Sequence, residues 1–214
     1  MVQLFVMLCI VLPVLTLSPR VCAQGIGLRS PNGRIELKFN LVDSPHGERC
    51  AAYRIEFDER EIVGESLLGL LLRDGAHLLS GFRVVECKET YHDGTWEPVY
   101  GERSLIRDEY NQLEVLLKEN KEPFRLLAVQ FRAYNEGVAF RYLLPEQDGF
   151  RDFVIAEEFT QFNLPDGSMV YEEHGSEGEY SRVAPREVEP NCEVPLTIEY
   201  AHGKVACLLE ADLY

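Results

Sequence analysis

The sequence predicts an all-β protein, built as a sandwich or a barrel of short strands. Apolar and polar residues alternate with a period of two in several segments, and turn residues separate these segments at short intervals. Signals for helices are few along the same chain. Many short strands joined by regular turns are typical of β-sandwiches and β-barrels.

Each alternating segment predicts one half-buried strand. In the first, Ile35, Leu37, Phe39 and Leu41 alternate with charged or amide side chains. The later segments have the same pattern and lie next to turn residues. They cover residues 53–57, 113–117, 138–144, 196–200 and 205–209.

Two further segments complete this interpretation. Residues 67–72 are apolar apart from Gly69, and so short a run favours one buried strand over a helix. Residues 24–29 are interpreted as a short arm that precedes the first strand.

The N-terminus has the layout of a secretory signal peptide. Residues 4–17 are almost wholly apolar, Ser18 and Pro19 break the run, and the motif VCA at residues 21–23 resembles a cleavage site. The apolar run is shorter than the roughly 20 residues that a membrane-spanning helix needs. An uncleaved membrane anchor is the alternative. We therefore expect residues 1–23 to be a signal peptide, and residues 24–214 to form an exported domain, periplasmic or extracellular.

The charge of the chain limits its partners. The formal net charge is −15, and Arg20 is the one charged residue of the predicted signal peptide, so the remainder carries −16. A protein this acidic repels nucleic acid and anionic lipid surfaces. We expect no nucleic acid partner and no membrane partner after signal cleavage, and the charge suits a neutral ligand or a bound cation.

The four cysteines outside the predicted signal peptide are Cys50, Cys87, Cys192 and Cys207. They form no CxxC motif and no Cys/His cluster in the sequence, so a zinc site is not expected. An exported chain could pair them in three ways. A core of this size does not require a disulfide, and the sequence leaves the pairing open.

Four stretches resemble the N-terminal domain of glycoside hydrolase family 97. Two lie early in the chain, SPNGRIEL at residues 30–37 and SLLGLLLRDG at 66–75. The third is GTWEPVYGE at 94–102 followed by IRDEYNQL at 106–113, and the fourth is FRAYNEGVAFRY at 131–142. They occur in the family's order, and the resemblance extends from about residue 28 to the last residue.

This resemblance implies a β-super-sandwich similar to galactose mutarotase-like domains, followed in the family by a catalytic (β/α)₈ barrel. The family's enzymes hydrolyse α-glucosides or α-galactosides with calcium in the active site, and their catalytic carboxylates lie in the barrel. No catalytic residue is therefore assigned here. Because residues 204–214 read as a strand with no polar exit, we expect the domain to be incomplete at its C-terminal end.

The resemblance also implies one calcium ligand in this domain, shared with the barrel. In the stretch FNLPDGSMVYEEHGSEGEY, residues 162–180, Glu177 matches the family's glutamate best, with Glu179 as the alternative. Calcium is a hard cation that prefers carboxylate oxygens, which fits this assignment. Glu172 and Glu173 depart from the family's pattern, where apolar or small residues are common.

Trp96, Tyr100, Arg107 and Tyr110 are expected to face either a carbohydrate or another domain. Trp96 could offer its flat face to a sugar ring. Alternatively, it could hold a long crossover between strands, with Tyr100 and Tyr110 packed beside it. We favour a segment at an interdomain interface, because such interfaces are more polar than domain cores.

Three functions follow from these observations. The first is a non-catalytic domain of an exported α-glycosidase, which binds carbohydrate jointly with the barrel. The second is a free-standing carbohydrate-binding module. The third, which rests on analogy of fold alone, is an aldose epimerase, whose site needs a histidine and a glutamate such as His174 and Glu210.

Overall fold

The computed structural model describes residues 25–73 and 77–211, and within them the chain forms fourteen strands and one turn of 3₁₀ helix, Pro185–Glu187. The strands are β1 Ile26–Arg29, β2 Ile35–Ser44, β3 Gly47–Phe57, β4 Arg60–Leu68, β5 Leu70–Leu72, β6 Phe82–Trp96, β7 Ile106–Glu119, β8 Leu126–Tyr134, β9 Val138–Leu143, β10 Ile155–Glu158, β11 Met169–Glu172, β12 Ser181–Val183, β13 Leu196–Glu199 and β14 Val205–Leu208. In the described residues no helix has the length and apolarity to cross a membrane. The predicted signal peptide lies outside these residues.

Two four-stranded antiparallel sheets form the main body. Their strand orders are β1-β2-β3-β4 and β6-β7-β8-β9. Alternate residues of both sheets meet in one apolar core, in which Phe39 of the first sheet lies against Phe131 of the second, with 6.0 Å between ring centroids. The predicted all-β sandwich is confirmed, and the period-two segments correspond to strands β2, β3, β7, β9, β13 and β14.

A smaller antiparallel sheet, ordered β12-β11-β13-β14, has its own core around Val170, Ile198 and Tyr200. Ile62 of β4 packs against this core and against the main one, so the two cores are continuous in space. The small sheet thereby extends the sandwich, and its β11–β12 loop is the segment in which the resemblance predicts the calcium ligand.

The predicted arm at residues 24–29 is wrong, because Ile26–Arg29 is strand β1. It pairs with β2 in the register Ile26↔Phe39, and Ile26 and Leu28 are buried in the main core. The strand was missed because it is only four residues long and includes Gly27 and Arg29 on its outer face.

The single strand predicted at residues 67–72 is also wrong, because the chain changes partners at Gly69. Strand β4 pairs with β3 before it, and β5 pairs with β10 after it. A Cβ atom at Gly69 would lie 2.7 Å from the carbonyl oxygen of Leu78, so only glycine fits this close approach. Its own N–H donates to the Tyr142 hydroxyl at 3.0 Å.

The stretch that begins with GTWEPVYGE is part of a hairpin, and the expected crossover is wrong. Strands β6 and β7 pair from Phe82↔Glu119 to Trp96↔Ile106. Strand β8 pairs with β7 only as far as Tyr110↔Tyr134. Beyond that pair, the hairpin continues as a two-stranded ribbon that leaves the sheet, and its tip loop covers residues 97–105.

No disulfide joins any two of Cys50, Cys87, Cys192 and Cys207, because Cys50, Cys192 and Cys207 are free thiols. Cys50 is buried, whereas Cys192 and Cys207 are accessible to solvent. The three pairings within this set of four cysteines, which the sequence left open, are therefore absent.

Candidate functional site

The loop between β11 and β12, residues 173–180, carries both predicted calcium ligands. The carboxylates of Glu173 and Glu193 accept hydrogen bonds from its backbone N–H groups. Glu173 Oε1 accepts the Gly178 N–H at 2.6 Å, and Glu193 Oε1 accepts the N–H groups of Gly175 and Ser176 at 3.0 and 3.1 Å. Charge-assisted hydrogen bonds of this kind are stronger than neutral ones. The loop, which we call the acidic loop, is therefore ordered by its own chain before any ligand binds.

Glu177 and Glu179 lie on the exposed side of the acidic loop. Within residues 25–73 and 77–211, no hydrogen bond or ion pair engages either side-chain carboxylate. Their oxygens are available to a cation that approaches from outside the domain. The contacts do not rank the two residues, so Glu177 remains the prediction and Glu179 its alternative.

Glu172 and Glu173, the acids that depart from the family's pattern, are buried at 7 and 8% relative exposure. Burial of a carboxylate requires compensating partners. Glu173 has the Gly178 N–H, and Glu172 Oε2 accepts the Glu189 N–H at 2.9 Å. These residues were missed as structural elements because a local acidic run is also typical of a solvated loop.

The histidine and glutamate proposed for an epimerase site do not pair. His174 Nε2 lies 3.4 Å from Glu172 Oε2, and its Nδ1 lies 3.2 Å from the carbonyl oxygen of Asn191. No hydrogen bond joins His174 and Glu210 among the described residues. The arrangement therefore gives the epimerase hypothesis no support.

Three of the four residues predicted to face a carbohydrate or another domain lie at the two ends of the ribbon, and Arg107 lies between them. Trp96 and Tyr100 are at the exposed end of the ribbon, at 51 and 90% relative exposure, beside Val99 at 99%. Tyr110 is buried at the base of the ribbon, where it stacks on His92 with 4.9 Å between ring centroids. The expected packing of Tyr100 and Tyr110 beside Trp96 is therefore wrong.

Arg107 stiffens the ribbon between these two places. Its Nε and one terminal nitrogen bind the two carboxylate oxygens of Asp93 at 3.0 and 3.1 Å, and the guanidinium also lies 3.1 Å from Glu109. The hydrogen bond from Arg107 holds the pKa of Asp93 below its usual range. Because these bonds occupy much of the guanidinium, Arg107 serves the geometry of the ribbon.

Gly178 provides a test of the acidic loop. A Cβ atom there would clash with the carbonyl oxygen of His174 and would lie 2.9 Å from Glu173 Oε1. Gly178→Ala should open the loop at a cost of about 1–3 kcal/mol, because both neighbours are fixed. Hydrogen exchange of the amides at 174–180 should rise roughly tenfold or more, since each 1.4 kcal/mol is a factor of ten.

Gly137→Ala is the control for this change, because a Cβ atom at Gly137 has no neighbour within 4 Å. It should leave exchange in the acidic loop unchanged. Equal protection of residues 174–180 in Gly178→Ala and in the unmodified chain would contradict the role assigned to Glu173.

Comparison with known proteins agrees with this architecture. The family model described as Glycosyl-hydrolase 97 N-terminal matches residues 28–214. A retaining alpha-galactosidase of Bacteroides thetaiotaomicron is 23% identical over 226 aligned positions, which cover 98% of this chain and 31% of the relative.

Solved structures show the same fold. A glycoside hydrolase family 97 enzyme from Pseudoalteromonas sp. strain K8, in complex with panose, superposes with a TM-score of 0.74 at 21% identity, over 82% of this chain and 27% of that enzyme. A beta-arabinopyranosidase gives a TM-score of 0.77 at 18% identity, over 88 and 32% of the two chains. The chain thus spans about a third of these proteins, and it belongs to the glycosyl hydrolase 97 N-terminal family.

Proposed function

We propose that the chain is the non-catalytic N-terminal domain of an exported, calcium-dependent α-glycosidase. Its role is to form one wall of an active site whose catalytic groups lie in a (β/α)₈ barrel. The observation that carries the proposal is the acidic loop, which is held in place by its own chain and presents the unpaired carboxylate of Glu177. Export is supported by the apolar run and small-residue motif of residues 1–23.

The calcium chemistry explains why such a domain needs a partner. Calcium takes six to eight oxygen ligands, and one carboxylate supplies one or two of them. Glu177 alone therefore binds calcium weakly. When the barrel supplies the other ligands, Glu177 closes the site from the side of the sandwich, and the ion joins the two domains. An ordered loop limits the entropy that this closure costs.

The tip of the ribbon fits a contact with the same barrel. Val99 and Tyr100 are almost fully exposed, and Trp96 is half exposed beside them. Clustered exposed apolar side chains mark interaction surfaces in soluble proteins. The bidentate pair of Arg107 and Asp93 joins the two strands of the ribbon where no third strand supports them. We assign the tip to the interdomain interface, and a sugar platform on Trp96 is the alternative.

The relatives indicate the substrate class. One is a retaining alpha-galactosidase, and a related family 97 enzyme has been solved with panose. We propose that the full-length protein acts on an α-glucoside or α-galactoside, and that this domain binds the carbohydrate only jointly with the barrel.

Glu177→Gln tests the calcium assignment in the full-length protein that contains this domain. The change keeps an oxygen and the side-chain shape but removes the charge. Calcium affinity and turnover should both fall, by roughly tenfold or more, because carboxylate charge dominates binding of a hard cation. Titration calorimetry and hydrolysis of aryl α-glycosides measure the two effects.

Two glutamates are matched controls for that experiment. Glu136→Gln changes an exposed turn residue of the main sheet and should alter neither quantity. Glu179→Gln should have a small effect. A large effect at Glu179 with none at Glu177 would show that Glu179 is the calcium ligand. No effect at either residue would show that this loop does not bind calcium.

The interface assignment is tested by a double change at the tip, Val99→Ser with Tyr100→Ser. In the 214-residue chain the melting temperature should be nearly unchanged, because exposed side chains contribute within about 0.5 kcal/mol. In the full-length protein the same change should lower the melting temperature and separate the unfolding of the two domains. Differential scanning calorimetry reports both.

Val154→Ser is the comparison, because Val154 is also exposed but directly precedes β10, which pairs with β5 and not with the ribbon. It should have no effect in either protein. If the 214-residue chain alone binds oligosaccharides and Trp96→Ala abolishes that binding, the tip is a sugar platform and the interface assignment is wrong.

A further inference from the structure

Three side chains that can bind a transition metal meet beside the acidic loop. Glu172 is the last residue of β11, His174 follows two positions later, and Cys192 precedes β13. A carboxylate oxygen, an imidazole nitrogen and the thiol sulfur all lie within 4.8 Å of one another. Two hydrogen bonds fasten the segments that carry them, from the Glu193 N–H to the Glu173 carbonyl at 3.0 Å and from the Glu189 N–H to Glu172 Oε2 at 2.9 Å.

The contacts of His174 fit the role of a metal ligand. Its Nδ1 lies 3.2 Å from the carbonyl oxygen of Asn191, which can only accept, so Nδ1 carries the proton. In the neutral ring, Nε2 then has a lone pair, and it points at a carboxylate oxygen of Glu172 only 3.4 Å away. Two lone pairs facing each other require a cation between them or a second proton on the ring. Donation of the other ring N–H to a carbonyl is also the usual support of a metal-bound histidine.

Glu172 and Asn191 are held in the positions that this arrangement needs. The Glu172 carboxylate is buried, and the Glu189 N–H occupies only one of its acceptor sites. Asn191 has φ 67°, in the left-handed region where asparagine is enriched. This turn directs the Asn191 carbonyl to His174 and places Cys192 next to the same ring.

The mixture of donors selects the metal. Sulfur and imidazole nitrogen favour zinc and its borderline neighbours, whereas calcium takes oxygen ligands alone. Zinc–ligand distances of about 2.0–2.3 Å in a tetrahedron place the donor atoms roughly 3.3–3.8 Å apart. The Glu172–His174 spacing already satisfies this, and the partly exposed Cys192 needs to approach by about 1 Å at most.

We propose that Glu172, His174 and Cys192 bind a zinc ion through a carboxylate oxygen, Nε2 and the thiolate. Binding releases the thiol proton to solvent, and water fills the fourth position. The ion would join the end of β11 to the segment before β13, next to the acidic loop. This proposal is independent of the proposed function, because it uses neither Glu177 nor a second domain.

Spectroscopy on the reduced, metal-free 214-residue chain tests it. Zinc should bind at one site, and cobalt in the same site should give the intense visible bands of a tetrahedral complex with a thiolate-to-cobalt charge-transfer band. Cys192→Ser should remove that band and weaken zinc binding at least tenfold, while Cys207→Ser changes neither. Excess calcium should not displace the cobalt, which separates this site from the calcium proposal.

His92 provides a matched control for His174. His92 Nε2 lies 3.4 Å from Asp108 Oδ2, the same distance as in the His174–Glu172 pair, but the two belong to no group of three ligands among the described residues. His174→Gln should therefore weaken zinc binding at least tenfold, whereas His92→Gln should not. Equal zinc affinity in both variants would overturn the proposal.

Alkylation of the unmodified chain gives a test that needs no variant to fold. Zinc should slow modification of Cys192 by iodoacetamide at least tenfold and leave the exposed Cys207 unprotected, as followed by mass spectrometry of the two peptides. Equal rates at Cys192 with and without zinc, or cobalt spectra without the charge-transfer band, would show that the three residues do not bind a metal.

Discussion

The apolar core between the two four-stranded sheets is the constraint on which the rest of the molecule depends. Alternate residues from both sheets fill it, and the rings of Tyr53 and Phe131 in the core form a continuous cluster with that of the partly buried Phe140. A register shift of one residue would move these rings to the solvent face, so the core fixes every strand pairing at once. Burial of apolar surface is also the largest favourable contribution to folding.

Polar contacts at the edge of this core position the later part of the chain. The Tyr53 hydroxyl donates to the Gln161 carbonyl at 2.8 Å, and burial raises its pKa. The Gln161 side chain in turn accepts the Leu67 N–H at 3.1 Å. The segment that leads to β11 is thereby tied to β4, and the small sheet begins from a fixed point.

The proposed function rests on two parts that extend away from this core. The ribbon leaves the main sheet where β8 ends, and the acidic loop leaves the small sheet after Glu172. Both are stiffened by charged side chains, Arg107 with Asp93 in the ribbon and Glu173 with Gly178 in the loop. The ribbon and the acidic loop are thus rigid, and their exposed side chains are free to contact another domain. This suits a domain that completes a site on a neighbouring domain.

The sequence predicted those features that depend on local pattern. Period-two alternation located most strands, because one face of each sheet is buried and the other is solvated. It could not locate the break at Gly69, which arises from contact with Leu78, or the strand at Ile26, which is defined by its partner β2.

In the candidate sites, too, local pattern predicts little of what depends on contacts between distant segments. The exposed Glu177 could be assigned only by resemblance, because an acidic loop has no pattern of its own. The burial of Glu173 depends on the Gly178 amide, and the meeting of His174 with Cys192 depends on hydrogen bonds between segments 18 positions apart in the chain. No local spacing rule contains these contacts, which is why a zinc site could not be expected from the sequence.

The central claim is that this chain supports catalysis without performing it. Hydrolysis of aryl α-glucosides and aryl α-galactosides by the 214-residue chain, with calcium present, tests that claim most directly. The account predicts background rates, because a glycosidase needs two carboxyl groups held across the scissile bond and the resemblance assigns neither of them to this chain. Turnover above background that is lost when one carboxylate of this chain is replaced would contradict it.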